Sequence, residues 1–405
     1  GGEGIVAGKK RVPKRRFDGF SGKWDLINWK DVVDISTNMV DPRNSEYDDL
    51  YHIGPGNIES FTGRLLDNVK KVKESNLISG KFHFYKNDII YGKINPQLAK
   101  YTMAKSEGLA SADAYVLNSK NGIEQIFLYY IIQTRDFYNY TVSVSSRTGM
   151  PKINREELNF YNFKAPKRDE QQKIGNFLKK IDEMITLQQR KLEKTKALKS
   201  AYLAEMFPDE GERVPKRRFA GFTEEWEVRK LGDFGSVAMN KRIFKEQTSE
   251  EGDVPFYKIG TFGGKPDAYI SYELFEEYKA KYPYPEIGDI LISASGSIGR
   301  TVEYTGEDEY FQDSNIVWLK HDGRLNNLFL KQYYAIVKWE GLEGSTIKRL
   351  YNKNILETQI KVPSLSEQQK IGEFFKQLDD KISIEQRKLD KLKALKQAYL
   401  HEMFV

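Results

Sequence analysis

Residues 169–207 read DEQQKIGNFLKKIDEMITLQQRKLEKTKALKSAYLAEMF, and residues 366–404 read SEQQKIGEFFKQLDDKISIEQRKLDKLKALKQAYLHEMF. The two stretches are identical at 25 of 39 positions. A shorter pair precedes them, because VPKRRFDGFSGKWD at 12–25 returns as VPKRRFAGFTEEWE at 214–227, with 9 of 14 positions identical. The sequence therefore contains two copies of a unit of about 200 residues, a far longer period than that of a solenoid repeat.

The long repeated stretch is predicted to form a helix in each copy. Apolar residues recur at alternating steps of four and three residues, which is the spacing of a heptad seam. Polar residues interrupt the seam at Gln188, Thr195 and Glu385. The stripe continues after a phase shift through Leu198, Tyr202 and Met206 in the first copy and through Leu395, Tyr399 and Met403 in the second. The apolar residues predicted to lie between the two helices are Ile174, Leu178, Ile181, Ile185, Leu192, Ile371, Phe375, Leu378, Ile382, Leu389 and Leu392.

The two helices are predicted to pair with each other, because one helix cannot bury such a seam alone. A chain of the order domain, helix, domain, helix satisfies both helices most simply through an antiparallel coiled coil with pseudo-twofold symmetry. Gln188 and Glu385 would then fix the register of the pair at some cost in stability. The alternative is that each helix packs only on its own domain.

The segments between the repeated stretches align poorly and are predicted to form two α/β (α+β) domains. Helical stretches are expected at 123–135 and 327–338, and short apolar runs typical of buried strands lie at 88–92, 114–117, 290–294 and 316–319. The predicted boundaries are 1–167 for the first domain, with 1–11 as a flexible arm or cloning remnant, 168–207 for the first long helix, 208–365 for the second domain and 366–405 for the second long helix.

The composition excludes several kinds of site. The 405 residues include no cysteine and only four histidines, which are not spaced as metal ligands. Disulfides, cysteine-bound metals and thiol nucleophiles are therefore excluded, and no metal site is predicted. No apolar run approaches the roughly 20 residues of a membrane-spanning helix, and the first ten residues lack a signal-peptide pattern. These features predict a cytoplasmic protein.

No catalytic residue is predicted. The sequence lacks the phosphate-binding motif G-x-x-x-x-G-K-[ST]. Asn95-Pro96-Gln97 is similar to the loop that adenine methyltransferases place against the target amino group, but it lacks that loop's second proline and aromatic residue, and no glycine-rich cofactor motif accompanies it. The carboxylate pairs Asp48-Asp49 and Asp379-Asp380 are interpreted as surface charge.

Two segments are predicted to bind DNA in each domain. The first basic segment (144–155) and the second basic segment (344–354) combine cations with hydroxyl and amide side chains, which suit phosphate contacts. Loops after the strands at 88–92 and 290–294 offer groups that can reach base edges. The candidate DNA-binding residues are Lys93, Asn95, Gln97, Arg147, Lys152, Arg155, Ser295, Ser297, Arg300, Lys348, Arg349 and Lys353.

Bulk charge supports nucleic-acid binding in the first half only. The chain has a net charge of +6, but residues 1–167 carry +6 whereas residues 207–365 carry −4. For any single candidate, a solvated surface role is about as plausible as DNA contact, so the clusters are stronger predictions than their members.

The repeated motifs RVPKRRF-x-GF-x-x-x-W and EQQKIG…QRKL…KALK…AYL…EMF resemble the conserved regions of type I restriction-modification specificity subunits. The order variable, conserved, variable, conserved covers the whole chain. Pro166 and Pro363, shortly before EQQKI, also fit the junction usual in that family.

The resemblance implies two target-recognition domains that each read one half of a bipartite, asymmetric site in double-stranded DNA. It implies a helix pair that sets the gap between the halves and docks two modification subunits, which carry S-adenosylmethionine and methylate adenines at N6 after flipping them. Restriction subunits that use ATP and Mg would complete the complex. The chain itself would be a bacterial, nucleoid-associated protein that binds no cofactor and is not an enzyme.

Two other interpretations stay open. The first is a coiled-coil assembly scaffold that does not read DNA, which identical variable domains would have favoured. The second is a methyltransferase or nuclease fused to a recognition domain, which would require a cofactor motif. The divergence of the two variable domains favours the reading of two different sequences.

Overall fold

The computed structural model describes residues 12–145, 149–340 and 349–405. The chain divides into two compact units. The first unit comprises the described residues up to Gln189 together with Lys388–Val405, and the second comprises the described residues of Arg190–Arg387. Each unit therefore takes in one part of each long repeated stretch.

The first unit contains two sheets beside a short strand pair. In chain order its strands are β1 (Asp25–Asn28), β2 (Val33–Ile35), β3 (Met39–Val40), β4 (Tyr51–Ile53), β5 (Lys70–Lys71), β6 (Lys81–Phe84), β7 (Ile89–Gly92), β8 (Tyr101–Met103), β9 (Gly108–Ala110), β10 (Ala114–Ser119) and β11 (Asn162–Ala165). Its helices are α1 (Trp29–Val32), α2 (Gln125–Ile131), α3 (Arg135–Ser145), α4 (Arg155–Asn159) and the first part of α5 (Arg168–Met206).

The second unit follows a related plan. Its strands are β12 (Glu227–Lys230), β13 (Gly235–Ala238), β14 (Val254–Tyr257), β15 (Tyr269–Ile270), β16 (Ile290–Ser293), β17 (Thr301–Glu303), β18 (Tyr310–Phe311), β19 (Ile316–His321) and β20 (Gln359–Val362). Its remaining helices are α6 (Tyr272–Lys281), α7 (Asn327–Tyr334), α8 (Asn352–Glu357) and most of α9 (Leu365–Met403).

The same central sheet recurs in both units. Its strand order is β2-β10-β7-β8 in the first and β13-β19-β16-β17 in the second, with antiparallel pairing throughout. Strands β7 and β16 are buried along their whole length, as are the first four residues of β10 and β19. The four predicted apolar runs are thus confirmed as strands, and their consecutive buried residues are typical of strands covered on both faces.

The second layer differs between the units. The first unit adds a sheet of order β3-β6-β9-β4-β5, whereas the second adds the order β15-β14-β18 beside α6. These layers lie within the parts of the sequence that align poorly.

The helical stretch expected at 123–135 is confirmed by α2, which ends at Ile131, and a second helix, α3, begins at Arg135. The Thr134 hydroxyl donates to the carbonyl oxygen of Ile131 (2.7 Å) and accepts from the backbone N–H of Phe137 (3.3 Å). A threonine hydroxyl that bonds the backbone in this way ends one helix and starts the next.

The two long helices pack together antiparallel, as predicted. In the first unit Phe177 of α5 meets Tyr399 of α9 edge to face with ring centroids 4.8 Å apart. In the second unit Tyr202 of α5 meets Phe374 of α9 in the same way at 5.0 Å. The early part of one helix therefore packs against the late part of the other in each unit.

The residues of the predicted seam are buried or half-buried. Seven are at most 5% exposed, namely Ile174, Leu178, Ile181, Leu192, Ile371, Phe375 and Leu389. Four are half-buried, namely Ile185, Leu378, Ile382 and Leu392.

The predicted continuation of the stripe is wrong at Leu198 and Leu395, whereas Met206 and Met403 are buried, and Tyr202 and Tyr399 half-buried, as predicted. Both leucines are more than 40% exposed, and the inward positions belong to the next residues, Lys199 and Lys396. Each lysine faces a carboxylate of the opposite helix, as described below.

Candidate nucleic-acid interface

A hairpin loop and a basic segment meet in the first unit. The first hairpin loop (residues 93–100) joins β7 to β8 and is closed by a bond from the Gly92 N–H to the Lys100 carbonyl (2.8 Å). Ile94 of this loop forms a β-bridge with Lys152. The backbone N–H of Asn95 donates to the carbonyl of Pro151 (2.8 Å). Two candidate stretches some 50 residues apart in sequence are thus neighbours.

The second unit repeats this junction. The second hairpin loop (residues 294–300) joins β16 to β17 and is closed by a bond from the Ser293 N–H to the Arg300 carbonyl (2.9 Å). Ser295 forms a β-bridge with Arg349, and the Leu350 N–H donates to the Ala294 carbonyl (2.7 Å). The backbone arrangement is the same as in the first unit, whereas the side chains on it differ.

Three cations gather around one aromatic ring in the first unit. The side chains of Lys93, Lys152 and Arg155 line a depression of about 360 Å³ whose wall includes Tyr115. The Lys93 ammonium lies 5.5 Å from the centre of the Tyr115 ring, and the Arg155 guanidinium lies 5.7 Å from it. Burial lowers the pKa of Lys93, and the neighbouring Lys152 ammonium lowers it further. With three cations against the single carboxylate of Glu156, the lining favours an anion.

Arg155 differs from the two lysines in its contacts. It is half-buried, and its guanidinium donates to the carbonyl oxygens of Ile35 (2.7 Å) and Ser36 (2.6 Å) at the end of β2. The side chain thus fixes the start of α4 to the central sheet. Lys152 is exposed, and Lys93 is half-buried.

Left-handed residues bracket the tip of each hairpin loop. In the first loop these are Asn95 (φ 50°) and Ala99 (φ 44°), and in the second they are Gly296 (φ 64°) and Gly299 (φ 83°). A non-glycine residue in this conformation costs about 1–2 kcal/mol. Gly299 cannot carry a side chain without crowding, because a Cβ there would lie 3.1 Å from the indole nitrogen of Trp339.

The bracketed tips present polar side chains outward. Gln97 is exposed. Its backbone carbonyl accepts a bond from the Tyr138 hydroxyl (3.2 Å), and its side-chain amide lies 3.3 Å from the Asn95 side-chain oxygen. Asn95 itself is half-buried. A rigid backbone that holds an exposed amide suits the reading of base edges.

The second loop is held by the hydroxyl groups of Ser295 within it and of Ser293 at the end of β16. The Ser295 hydroxyl donates to the Asn315 side chain (2.8 Å), and the carbonyl of the exposed Ser297 accepts from the Ser293 hydroxyl (2.5 Å). Arg300 is exposed, and one guanidinium nitrogen donates to the Ile259 carbonyl (3.0 Å).

The remaining candidates are divided. Arg349 is half-buried and donates to the Ser314 carbonyl (3.2 Å), whereas Lys353 is exposed on α8 with Glu357 4.0 Å away. Arg147 and Lys348 lie outside the described residues. The sequence prediction missed the contact of Tyr115 with Lys93 and Arg155, although Tyr115 lies in the apolar run predicted at 114–117.

Within residues 12–145, 149–340 and 349–405, no group of carboxylate and imidazole side chains is arranged to hold a metal ion. In the same residues, no helix is long and apolar enough to cross a membrane.

Relatives of the chain are found by sequence. Type I restriction enzyme specificity subunit S.HindORF215P of Haemophilus influenzae is 57% identical over 157 residues, or 38% of this chain. The EcoDI specificity subunit of Escherichia coli is 33% identical over 165 residues, or 41% of this chain. The matched regions span 41% and 36% of those two relatives' lengths.

A solved structure extends the comparison to the whole fold. The S subunit of a type I restriction-modification system from M. genitalium aligns with 97% of this chain and 99% of its own, with a TM-score of 0.66 and 16% sequence identity. The sequence pattern of the type I restriction modification DNA specificity domain matches residues 22–197 and again residues 223–394. The chain therefore belongs to the family of type I restriction-modification DNA specificity proteins, with one specificity domain in each half.

Proposed function

We propose that this protein is the non-catalytic DNA specificity subunit of a type I restriction-modification complex, in which each unit reads one half of a bipartite, asymmetric site. The observation that carries this proposal is the repeated junction of hairpin loop and basic segment. The backbone of the junction is the same in both units, but its side chains differ, as expected of two readers of different sequences.

The two junctions favour different kinds of DNA contact. In the first unit Lys93 and Lys152 supply positive charge for phosphates, and the exposed Gln97 can pair with an adenine edge. In the second unit Ser295, Ser297, Arg300, Arg349 and Lys353 supply hydroxyl groups and cations. The second unit thus relies on local groups within an acidic domain.

In this proposal, methylation and cleavage of DNA are carried out by partner subunits. Two modification subunits dock on the long helices, bind S-adenosylmethionine and methylate one adenine in each half-site. Restriction subunits supply ATP-dependent translocation and Mg-dependent cleavage. The helix pair sets the unspecified gap between the half-sites, and the complex works on the nucleoid in the bacterial cytoplasm.

Methylation mapping tests the function directly. The chain is purified with its modification partner and incubated with genomic DNA and S-adenosylmethionine, and methylated adenines are then located. We expect one asymmetric motif in two parts. Methylation that depends on only one part, or assembly without sequence preference, would contradict the proposal and would favour the scaffold interpretation.

A double lysine variant tests the contact of hairpin loop and basic segment in the first unit. We expect Lys93→Ala with Lys152→Ala to weaken DNA binding about tenfold and to reduce the slope of log K against log salt by about 1–2, because phosphate contacts release counterions. Sequence preference should be unchanged. Lys281→Ala, which removes an exposed cation paired with Glu277 on α6, serves as the control. Equal salt slopes in all three proteins would remove these lysines from the interface.

A further inference from the structure

A lysine–aspartate pair, in which the lysine is buried and the aspartate half-buried, joins α5, α9 and the recognition domain in the first unit. The ammonium of Lys396 on α9 lies 2.7 Å from one carboxylate oxygen of Asp182 on α5. The hydroxyl of Tyr130 on α2 donates to the other oxygen at 2.8 Å. Lys396 also donates to the side-chain oxygen of Gln133 at 2.8 Å. We call Asp182, Lys396, Tyr130 and Gln133 the first polar junction.

The second unit contains the matching set. The ammonium of Lys199 on α5 lies 2.6 Å from one oxygen of Asp379 on α9. The side-chain amide of Gln332 on α7 donates to the other oxygen at 3.1 Å. We call Asp379, Lys199 and Gln332 the second polar junction. The interpretation of Asp379 as surface charge is therefore wrong, because the residue is half-buried and bonded to two elements.

The two polar junctions occupy equivalent positions of the duplicated sequence. The aspartates and the lysines are each separated by 197 residues, the offset of the long repeat, and Tyr130 and Gln332 are separated by 202, the offset of the short repeat. Tyrosine and glutamine share little except a group that donates a hydrogen bond. The second copy thus keeps the bond to the aspartate while the residue that donates it has changed.

Physical chemistry gives these contacts a role in register. The leucine, isoleucine and phenylalanine side chains of the seam are interchangeable, so these apolar side chains alone tolerate a slip of one helical turn, about 5.4 Å. In the seam itself the Thr195 hydroxyl donates to the buried Glu385 carboxylate (2.9 Å), and the two polar junctions add to this contact. The Lys396 side chain is only 7% exposed, and a slip would leave its charge buried without an acceptor. Burial and the Asp182 carboxylate also raise the pKa of Tyr130, which keeps its hydroxyl a donor.

We propose that the two polar junctions are positioning elements that hold each recognition domain on one register of the helix pair and thereby make the complex selective for one gap length. The proposal rests on the proposed function, in which the helix pair sets the gap. Asp182 and Asp379 are the central residues, because each accepts one bond from the opposite helix and one from a recognition domain.

Gap selectivity is the measurement that tests this. The complex with its modification partner methylates duplexes that carry both half-sites at the natural gap or at gaps changed by one or two base pairs. We expect the wild type to prefer the natural gap at least tenfold. Asp182→Asn with Asp379→Asn should reduce this preference at least fivefold, because the buried Lys396 and the half-buried Lys199 lose their counterions while the asparagines keep the shape.

Milder and control variants accompany the double variant. Tyr130→Phe leaves both lysine–aspartate pairs intact and removes only the bond between the recognition domain and Asp182 in the first unit. It should therefore reduce the preference for the natural gap less than the double variant does. This variant keeps the test valid if the double variant does not fold. Asp380→Asn lies next to Asp379 but removes only an exposed pair with Lys376, and it should behave as the wild type.

The outcomes separate the two proposals. A wild type that ignores gap length would overturn the gap-setting part of the proposed function, and this inference with it. A selective wild type whose Asp182→Asn/Asp379→Asn and Tyr130→Phe variants keep the same selectivity would overturn only the role of the polar junctions.

Discussion

At the scale of single residues, His52 on β4 has an unusual environment. Its ring lines a polar cavity of about 370 Å³ together with Asn57 and Asn68, and its Nε2 atom has no hydrogen-bond partner among the described residues. Burial lowers the pKa of His52 to about 4, and the nearby Lys81 ammonium adds to the effect. Between pH 4 and pH 6.5 the folded first unit therefore keeps His52 neutral, whereas an unfolded chain would protonate it.

The stability of the protein should depend on pH through His52. Because the folded pKa lies below the ordinary value of about 6.5, the unfolded chain binds the additional proton, and stability falls as pH drops from about 6.5 towards 4. We expect a loss of roughly 2 kcal/mol between pH 7 and pH 5 that His52→Gln does not show. Denaturant unfolding of both proteins at the two pH values measures it. Parallel losses would show that His52 titrates normally.

Residue identity alone did not decide which cations face solvent. Lys152 and Arg155 belong to the same basic segment, yet Lys152 is exposed whereas Arg155 bonds two carbonyl groups of the sheet end. Periodicity placed Leu198 inward, but Lys199 took that position because Asp379 offers it a charge partner. Such pairings join residues distant in sequence, so a local pattern does not contain them.

At the scale of elements, each long helix is tied to an entry segment, the short repeat at 12–25 or 214–227. The Arg16 guanidinium donates two bonds of 2.7 Å to Glu170, whose side chain is 2% exposed. Arg218 makes the equivalent pair with Glu367, whose side chain is 1% exposed. A two-point contact of this kind fixes direction as well as distance.

The buried pair should matter far more than its exposed neighbour. Arg16→Ala leaves the Glu170 carboxylate buried without its counterion, and we expect the unfolding free energy to fall by about 3–5 kcal/mol. Arg15→Ala removes the adjacent pair with Glu402, in which the arginine side chain is 55% exposed, and should lower the unfolding free energy far less than Arg16→Ala does. Calorimetry compares the two variants. Equal losses would contradict the difference that burial predicts.

The predictable elements were those with a strong local signal. The steps of four and three residues indicated both long helices, and uninterrupted apolar runs indicated β7, β10, β16 and β19. The second layers had no such signal, because several of their strands, such as β3, β5 and β15, have only two residues. Strands this short depend on neighbours rather than on their own sequence.

At the scale of the whole molecule, each unit is completed by a helix end. In the first unit Phe404, beyond the end of α9, packs on Trp24 and Phe127, with ring centroids 6.3 and 5.3 Å away. In the second unit Phe207, beyond the end of α5, packs on Trp226 and Phe329 in the same way. The sequence could not assign these ends, because AYLAEMF and AYLHEMF fit either unit.

Lengthening both helices should lengthen the DNA gap. Seven residues inserted after Gln189 and seven after Arg387, where the chain passes between units, would extend each helix by about 10.5 Å. At about 3.4 Å per base pair, we expect the preferred gap to grow by about three base pairs. Methylation of duplexes with graded gaps measures it, and insertion into α5 alone serves as the mismatched control. An unchanged preferred gap would contradict the role of the helices as a spacer.

The division of the first unit between the two ends of the sequence has a consequence for biosynthesis. Residues up to Gln189 leave the ribosome about 200 residues before Lys388–Val405, a delay of roughly 10–40 s at ordinary rates of translation. During this time Trp24 and Phe127 lack the Phe404 ring that covers them in the finished protein. The second unit, Arg190–Arg387, is continuous and can close first. We therefore expect the second unit to be completed before the first, although most of the first unit is synthesised earlier.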